Sequence, residues 1–166
     1  NPKHEHIQGQ PCYPSTDDLP GTPDLAVIAI PAQAVPELLA ALSPVAADVL
    51  LCGLNEGFLA ALLVPSPAGL AAICGAAHDD PATLTDQPAV HAFLADALAT
   101  YNRRFPGNST AVQRVAFMRQ PPDPRRHEIS DKGTINQRIA AEHRAEEIAA
   151  LYAARPDAHV IQAPAP

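Results

Sequence analysis

Lys3 and Lys132 are the two lysines of this 166-residue chain, and subtracting them from its 11 basic residues leaves nine arginines. A lysine ammonium is a compact charge on a flexible stem. It suits a phosphate oxygen or a developing oxyanion, whereas the planar arginine fork suits paired acceptors. Both lysines stand among turn formers, in Asn1-Pro2-Lys3 and in Ser130-Asp131-Lys132-Gly133-Thr134. Each can therefore bring a mobile positive charge to a ligand on a loop. On spacing alone, each is equally an exposed turn.

The remaining chemistry-bearing residues form weaker patterns. His78-Asp79-Asp80 has the residue types of a metal corner but lacks a distant second pair of ligands, so it reads first as a solvated loop. His4 and His6 read as surface residues. Ser43, Ser66 and Ser109 lie in no Gly-x-Ser-x-Gly elbow. Cys12, Cys52 and Cys74 are odd in number and form no Cys-x-x-Cys pair, which suggests neither a disulfide framework nor a zinc knuckle. Cys74 sits in an apolar stretch and reads as core. Arg144, Glu146 and Glu147 read as a solvated helix face. No metal ligand set is assigned.

Size and charge narrow the function classes. A mass of 17.4 kDa accommodates one ordinary domain or two small ones, not a complete synthetase of several hundred residues. The formal charge of -7 is opposite to that of a phosphate-backbone binder, so no nucleic acid partner is expected. The apolar runs are too short for a membrane span, so no membrane partner is expected either, and the cysteine usage fits a cytoplasmic setting. The first residue is Asn, which is compatible with a fragment or a processed product.

These residues need elements to position them. Residues 1–23 are crowded with turn formers and predict loop with at most one short strand and one helical turn. Asp24-Leu25-Ala26-Val27-Ile28-Ala29-Ile30 is nearly continuous in apolar residues, which predicts a strand buried on both faces, as in a parallel sheet. A helix is expected over 33–42. Two apolar runs, 47–52 and 58–64, flank Gly53-Leu54-Asn55-Glu56-Gly57 and predict a β-hairpin. Ser66-Pro67 opens a short helix to about residue 76. Val90, Phe93, Leu94, Leu98 and Tyr101 have helical spacing over 87–104, and 110–118 reads as a strand. Thr134 with Gln137 makes a capping box for a helix to about residue 154, and 155–166 is expected to be a disordered tail. The fold class is thus an α/β fragment followed by a small α+β domain. The fragment, over 1–42, has a parallel strand plus a helix. The domain, over 46–154, has a β-hairpin and a capped C-terminal helix.

Asn1-Pro2-Lys3-His4-Glu5-His6-Ile7-Gln8-Gly9, Cys12-Tyr13-Pro14-Ser15, Asp18-Leu19-Pro20 and residues 24–32, ending in Pro31-Ala32, together resemble the CoA-binding Rossmann domain of ADP-forming acyl-CoA synthetases. The resemblance implies a partial Rossmann segment over 1–42. Asn1, Pro2 and Lys3 would hold the nucleotide end of CoA, and Pro31 and Ala32 would line the same crevice. The family's glycine-rich first turn has no counterpart among these residues, so tight CoA binding by this segment alone is not expected.

Glu128-Ile129-Ser130-Asp131-Lys132-Gly133-Thr134-Ile135-Asn136-Gln137-Arg138, followed by residues 144–152, is similar to the C-terminal end of AMP-forming acyl- and aryl-CoA ligases, most closely the feruloyl-CoA synthetase type. This second resemblance covers about 110 residues and implies a mobile lid domain over 46–154. Lys132 would be its catalytic lysine, facing the acyl carboxylate and α-phosphate, with Gly133 and Thr134 beside the nucleotide. The cofactors implied are CoA and ATP, the latter with Mg. The substrate implied is a small-molecule carboxylic acid, and the partner a large adenylation domain or CoA-ligase subunit in trans. A chain without that domain is expected to be inactive alone. The residues leave two alternatives open: a non-catalytic CoA- or nucleotide-binding module, and a functionless fusion fragment.

Overall fold

The computed structural model describes residues 6–7, 10–11, 13, 20, 34–75, 80–107 and 109–164. The predicted strand at 24–30 lies outside them. Near the N-terminus, β1 (His6–Ile7) and β2 (Gln10–Pro11) pair antiparallel, where at most one short strand was expected.

The rest is built on one four-stranded sheet. The helix α1 (Ala34–Leu42) leads into β3 (Ala46–Cys52) and β4 (Leu59–Pro65), the expected hairpin. After β4 come the helices α2 (Pro67–Cys74), α3 (Pro81–Leu84) and α4 (Pro88–Arg104), then β5 (Val112–Phe117). β5 lies parallel to β4, so this helical excursion is the crossover that a parallel pair requires. The strand order is β3-β4-β5-β6, with β6 (Ile161–Gln162) antiparallel to β5.

The sheet is buried on both faces, which explains why its strands read as continuous apolar runs. Alternate residues serve opposite cores. Val49, Ala61, Leu63 and Val115 face a core completed by Leu38 and Leu42 of α1, Leu70 of α2, and Leu94 and Leu98 of α4. Leu50, Ala60, Leu62 and Ala116 face a second core closed by Ile135, Ala140 and Leu151. The last two belong to α5 (Gln137–His143) and α6 (Ala145–Tyr152).

Residues 34–42, assigned from sequence to the first piece, pack as α1 in the same core as α4 and β3. Two expectations are corrected. The helix expected from Thr134 to about residue 154 is two helices meeting at Arg144, and its cap is Asn136, whose side chain accepts from the Ile139 N–H at 3.4 Å. Thr134 cannot begin the helix because the next residue, Ile135, is bridged to Ile129 and buried in the second core. The tail expected to be disordered folds instead: Val160 and Ile161 are buried, and Ala163 N–H donates to the Gln113 carbonyl at 2.8 Å.

Loop and terminal contacts hold this frame. The Asn102 side chain exchanges two hydrogen bonds with the Val112 backbone, at 2.8 and 2.9 Å, and so ties α4 to the start of β5. Arg114 donates to the Leu151 and Ala153 carbonyls at 2.7 and 2.9 Å, satisfying the C-terminal end of α6. Ser66 caps α2 by accepting from the Gly69 N–H, as its position before Pro67 predicts.

Candidate functional site

Lys132 lies at the tip of a small hairpin-like loop. Ile129 and Ile135 form an antiparallel bridge beneath it, Ser130 N–H donates to the Thr134 carbonyl at 2.8 Å, and Gly133 N–H donates to the Ser130 carbonyl at 2.9 Å. The Ser130 and Thr134 hydroxyls are 3.0 Å apart. Gly133 turns the chain with φ 79, a left-handed conformation that favours glycine, and open space surrounds the position a Cβ would take. Lys132, Gly133 and Thr134 are all exposed, and no ion pair holds Lys132 among the described residues.

Each foot of the loop is anchored by polar contacts, buried at the first foot and partly exposed at the second. At the first foot, Glu128 is 1% exposed. Its Oε2 accepts from Asp123 N–H at 2.8 Å and from Arg144 Nη2 at 2.9 Å, and its Oε1 lies 3.3 Å from His143 Nδ1. Burial pushes the Glu128 carboxyl upward, but the Asp123 N–H, the Arg144 guanidinium and His143 outweigh it and hold the group below the ordinary glutamate value. Arg144 also donates to the Gln120 and Pro121 carbonyls and to Glu147, so one guanidinium ties the proline-rich segment after β5 to the junction of α5 and α6. Its 7% exposure corrects the expectation of a solvated face.

At the second foot, Ile135 N–H donates to Asp48 Oδ2 at 2.7 Å, while Asp48 Oδ1 accepts from the Val49 N–H at 2.8 Å. Two residues on, Gln137 Nε2 donates to the Val49 carbonyl at 2.8 Å, and Gln137 Oε1 accepts from the Leu51 N–H at 3.0 Å. Gln137 is thus engaged with β3 and not with Thr134. Arg138 pairs with Glu142 at 2.8 Å on the exposed side of α5.

The other predicted site residues, Asn1, Pro2, Lys3, Pro31 and Ala32, lie outside the described residues, as do His4, Cys12, His78 and Asp79. Asp80 caps α3 by accepting from the Ala82 N–H at 3.0 Å. His6 is exposed. Burial pushes the Cys52 thiol up to about 12, so it stays protonated and unreactive at neutral pH. Cys74 packs against the first core, as its apolar setting predicts. Among the described residues no group of three or more His, Cys, Asp or Glu could hold a metal ion, and no helix is long and apolar enough to cross a membrane.

The sequence reading missed Asp48, Glu128 and the inward role of Arg144. Only Asp48 carried a signal, as a lone carboxylate in an otherwise apolar strand.

A family model described as a CoA binding domain matches residues 1–100, more than half of the chain. The chain belongs to the CoA binding domain family. The match runs through α1 and the hairpin into α4, past the point where the sequence reading ended its CoA-binding segment. A stretch of 37 residues is 51% identical to an ADP-forming acetate–CoA ligase of Archaeoglobus fulgidus. That stretch is 22% of this chain and 5% of the relative, so the chain corresponds to a small part of the ligase it matches. A looser likeness, at 23% identity and a TM-score of 0.49, is to the A-PCP didomain of carboxylic acid reductase from Segniliparus rugosus, solved in complex with AMP. It covers 70% of this chain and 15% of that one.

Proposed function

We propose that this CoA binding domain family member is part of an acid:CoA ligase, in which the module carrying the Lys132 loop works as a lid over an ATP-dependent adenylation site. The observation that carries the reading is Lys132 itself: an exposed lysine without a carboxylate partner among the described residues, beside Gly133 with open space over its backbone, on a loop fixed at both feet. A positive charge held in this way fits an anionic group such as the α-phosphate of ATP. Bound ATP would supply the activated phosphoanhydride, and Mg would arrive with its phosphates. This chain's part is to bring Lys132 to the phosphate and acyl carboxylate, with Gly133 and Thr134 beside it, and to help shed water as the lid closes.

In the ligases resembled, the acyl pocket and the loop for the ATP β- and γ-phosphates belong to the large adenylation domain. Catalysis then requires a large adenylation domain or a CoA-ligase subunit, and these residues alone are inactive. The substrate is a small carboxylic acid. The Asp131-Lys132-Gly133 and Ile135-Asn136-Gln137-Arg138 pattern resembles the feruloyl-CoA synthetase type among these ligases, which makes a hydroxycinnamate a suitable test acid. Purified chain should form no thioester from hydroxycinnamate, ATP and CoA, but should restore pyrophosphate exchange to a feruloyl-CoA ligase truncated before its C-terminal domain. Absence of restoration at saturating chain would reject the lid.

Family membership favours a second reading, a non-catalytic CoA-binding module built on Asn1, Pro2, Lys3, Pro31 and Ala32. Calorimetry separates it from the first. Saturable heat with CoA that is lost in Lys3→Ala supports it, and no heat at millimolar CoA removes it.

A further inference from the structure

Among the described residues β3 is an edge strand of the sheet, and an edge strand presents unpaired N–H and C=O groups. Here the Val49 carbonyl and the Leu51 N–H, two residues apart, are both taken by the one carboxamide of Gln137, at 2.8 and 3.0 Å. The side chain does at this point what a neighbouring strand's backbone would do. Asp48 adds a third contact by receiving the Ile135 N–H at 2.7 Å, and its other oxygen is held by the Val49 N–H. Ile135 and Gln137 follow Lys132 by three and five residues, so these bonds set the register in which the loop leaves the sheet.

We propose that Asp48 and Gln137 are positioning residues, which dock the Lys132 loop on the edge of β3 and so fix where its lysine is presented. The proposal rests on the reading of Lys132 as the lid's lysine. It goes beyond that reading in assigning the precision of the loop to contacts with the hairpin strand β3, made by Asp48 and by Gln137 at the start of α5. Neither residue touches substrate. Both act through the loop, and a displacement of about 1 Å is enough to cost about 100-fold in a reaction that depends on orientation.

Two measurements on the full chain test this together: amide hydrogen exchange at Leu51 and Ile135 with Val115 of β5 as reference, and pyrophosphate exchange restored to the truncated ligase. Gln137→Leu loses both bonds at similar volume. It should raise exchange at Leu51 and Ile135 relative to Val115 by about tenfold or more, because only local opening is eased. It should also lower kcat for restored exchange by about 10- to 100-fold with KM for ATP unchanged. Gln137→Glu keeps an acceptor for the Leu51 N–H and should recover part of both. Asp48→Asn should loosen Ile135 selectively. Unchanged protection at Leu51 and Ile135 in these variants, or an equal loss at Val115, overturns the positioning role. A selective loss of protection with kcat unchanged overturns it too. If wild-type chain restores no exchange while the amides respond as expected, it is the reading of Lys132 that fails, and the positioning role falls with it by a separate signature.

Discussion

At the scale of single residues, the loop is exposed at its tip and tied down at its feet, at Glu128 by a buried carboxylate. Lys132 contributes charge without contributing to the core, so Lys132→Ala should leave the thermal midpoint within about 2 °C of wild type, as expected of a surface substitution. Arg144 is the opposite case. Truncating it would strand the buried Glu128 carboxylate, and Arg144→Ala should cost about 3 to 5 kcal/mol in a urea titration. The depressed Glu128 carboxyl also sets a pH dependence. Its contribution is present above the unfolded value, 4.5 for an ordinary glutamate, and is lost as pH falls through the lower folded value. Stability measured from pH 7 downward should therefore fall below about 4.5 more steeply in wild type than in Glu128→Gln. At this scale the sequence was only partly legible. The Lys132 loop could be read from its own residues, but the partners of Glu128 and Arg144 are 16 residues apart in the chain and meet only because α5 folds back beneath the loop.

At the scale of elements, close approach and edge protection do what local propensity cannot. The helix α2 passes so near the turn that leads into β3 that a Cβ at Gly69 would overlap the Pro44 carbonyl oxygen. Gly69→Ala should therefore destabilise by about 1 to 3 kcal/mol in a denaturant titration, against the usual gain from placing Ala in a helix. The elements with strong local signals were legible: the hairpin from its two apolar runs, α2 from Ser66-Pro67, and α4 from its period, whose buried Val90, Leu94, Leu98 and Tyr101 follow the predicted stripe. The start of α5 was not. A capping-box pattern at Thr134 and Gln137 is a local signal, and it lost to two tertiary demands, the burial of Ile135 and the recruitment of Gln137 to β3. The break at Arg144 was equally hidden, since no Gly or Pro marks it.

At the scale of the whole molecule, one sheet buried on both faces collects α1, α2 and α4 on one side and α5 and α6 on the other. The family match over residues 1–100 spans α1, the hairpin and most of α4. The chain's last segment closes the sheet's far edge through β6, a two-residue strand whose pairing no periodicity could announce. His159, just before it, lies 2.7 Å from Asp86, whose carboxylate raises the imidazole above its ordinary value. Both groups are more than half exposed, so the pair contributes little, and that little is present at low pH and lost as pH rises through the folded value. An NMR titration should place His159 above 6.5, returning toward 6.5 in Asp86→Asn. The larger question is whether the sheet delivers its loop to chemistry elsewhere. Pyrophosphate exchange by a truncated feruloyl-CoA ligase, supplemented with equal amounts of wild-type chain or Lys132→Ala, answers it most directly. Restoration by wild type, with the alanine variant at least about 100-fold slower, is the predicted result for the loss of an oriented transition-state charge. Equal restoration by the two chains would contradict the assignment of Lys132.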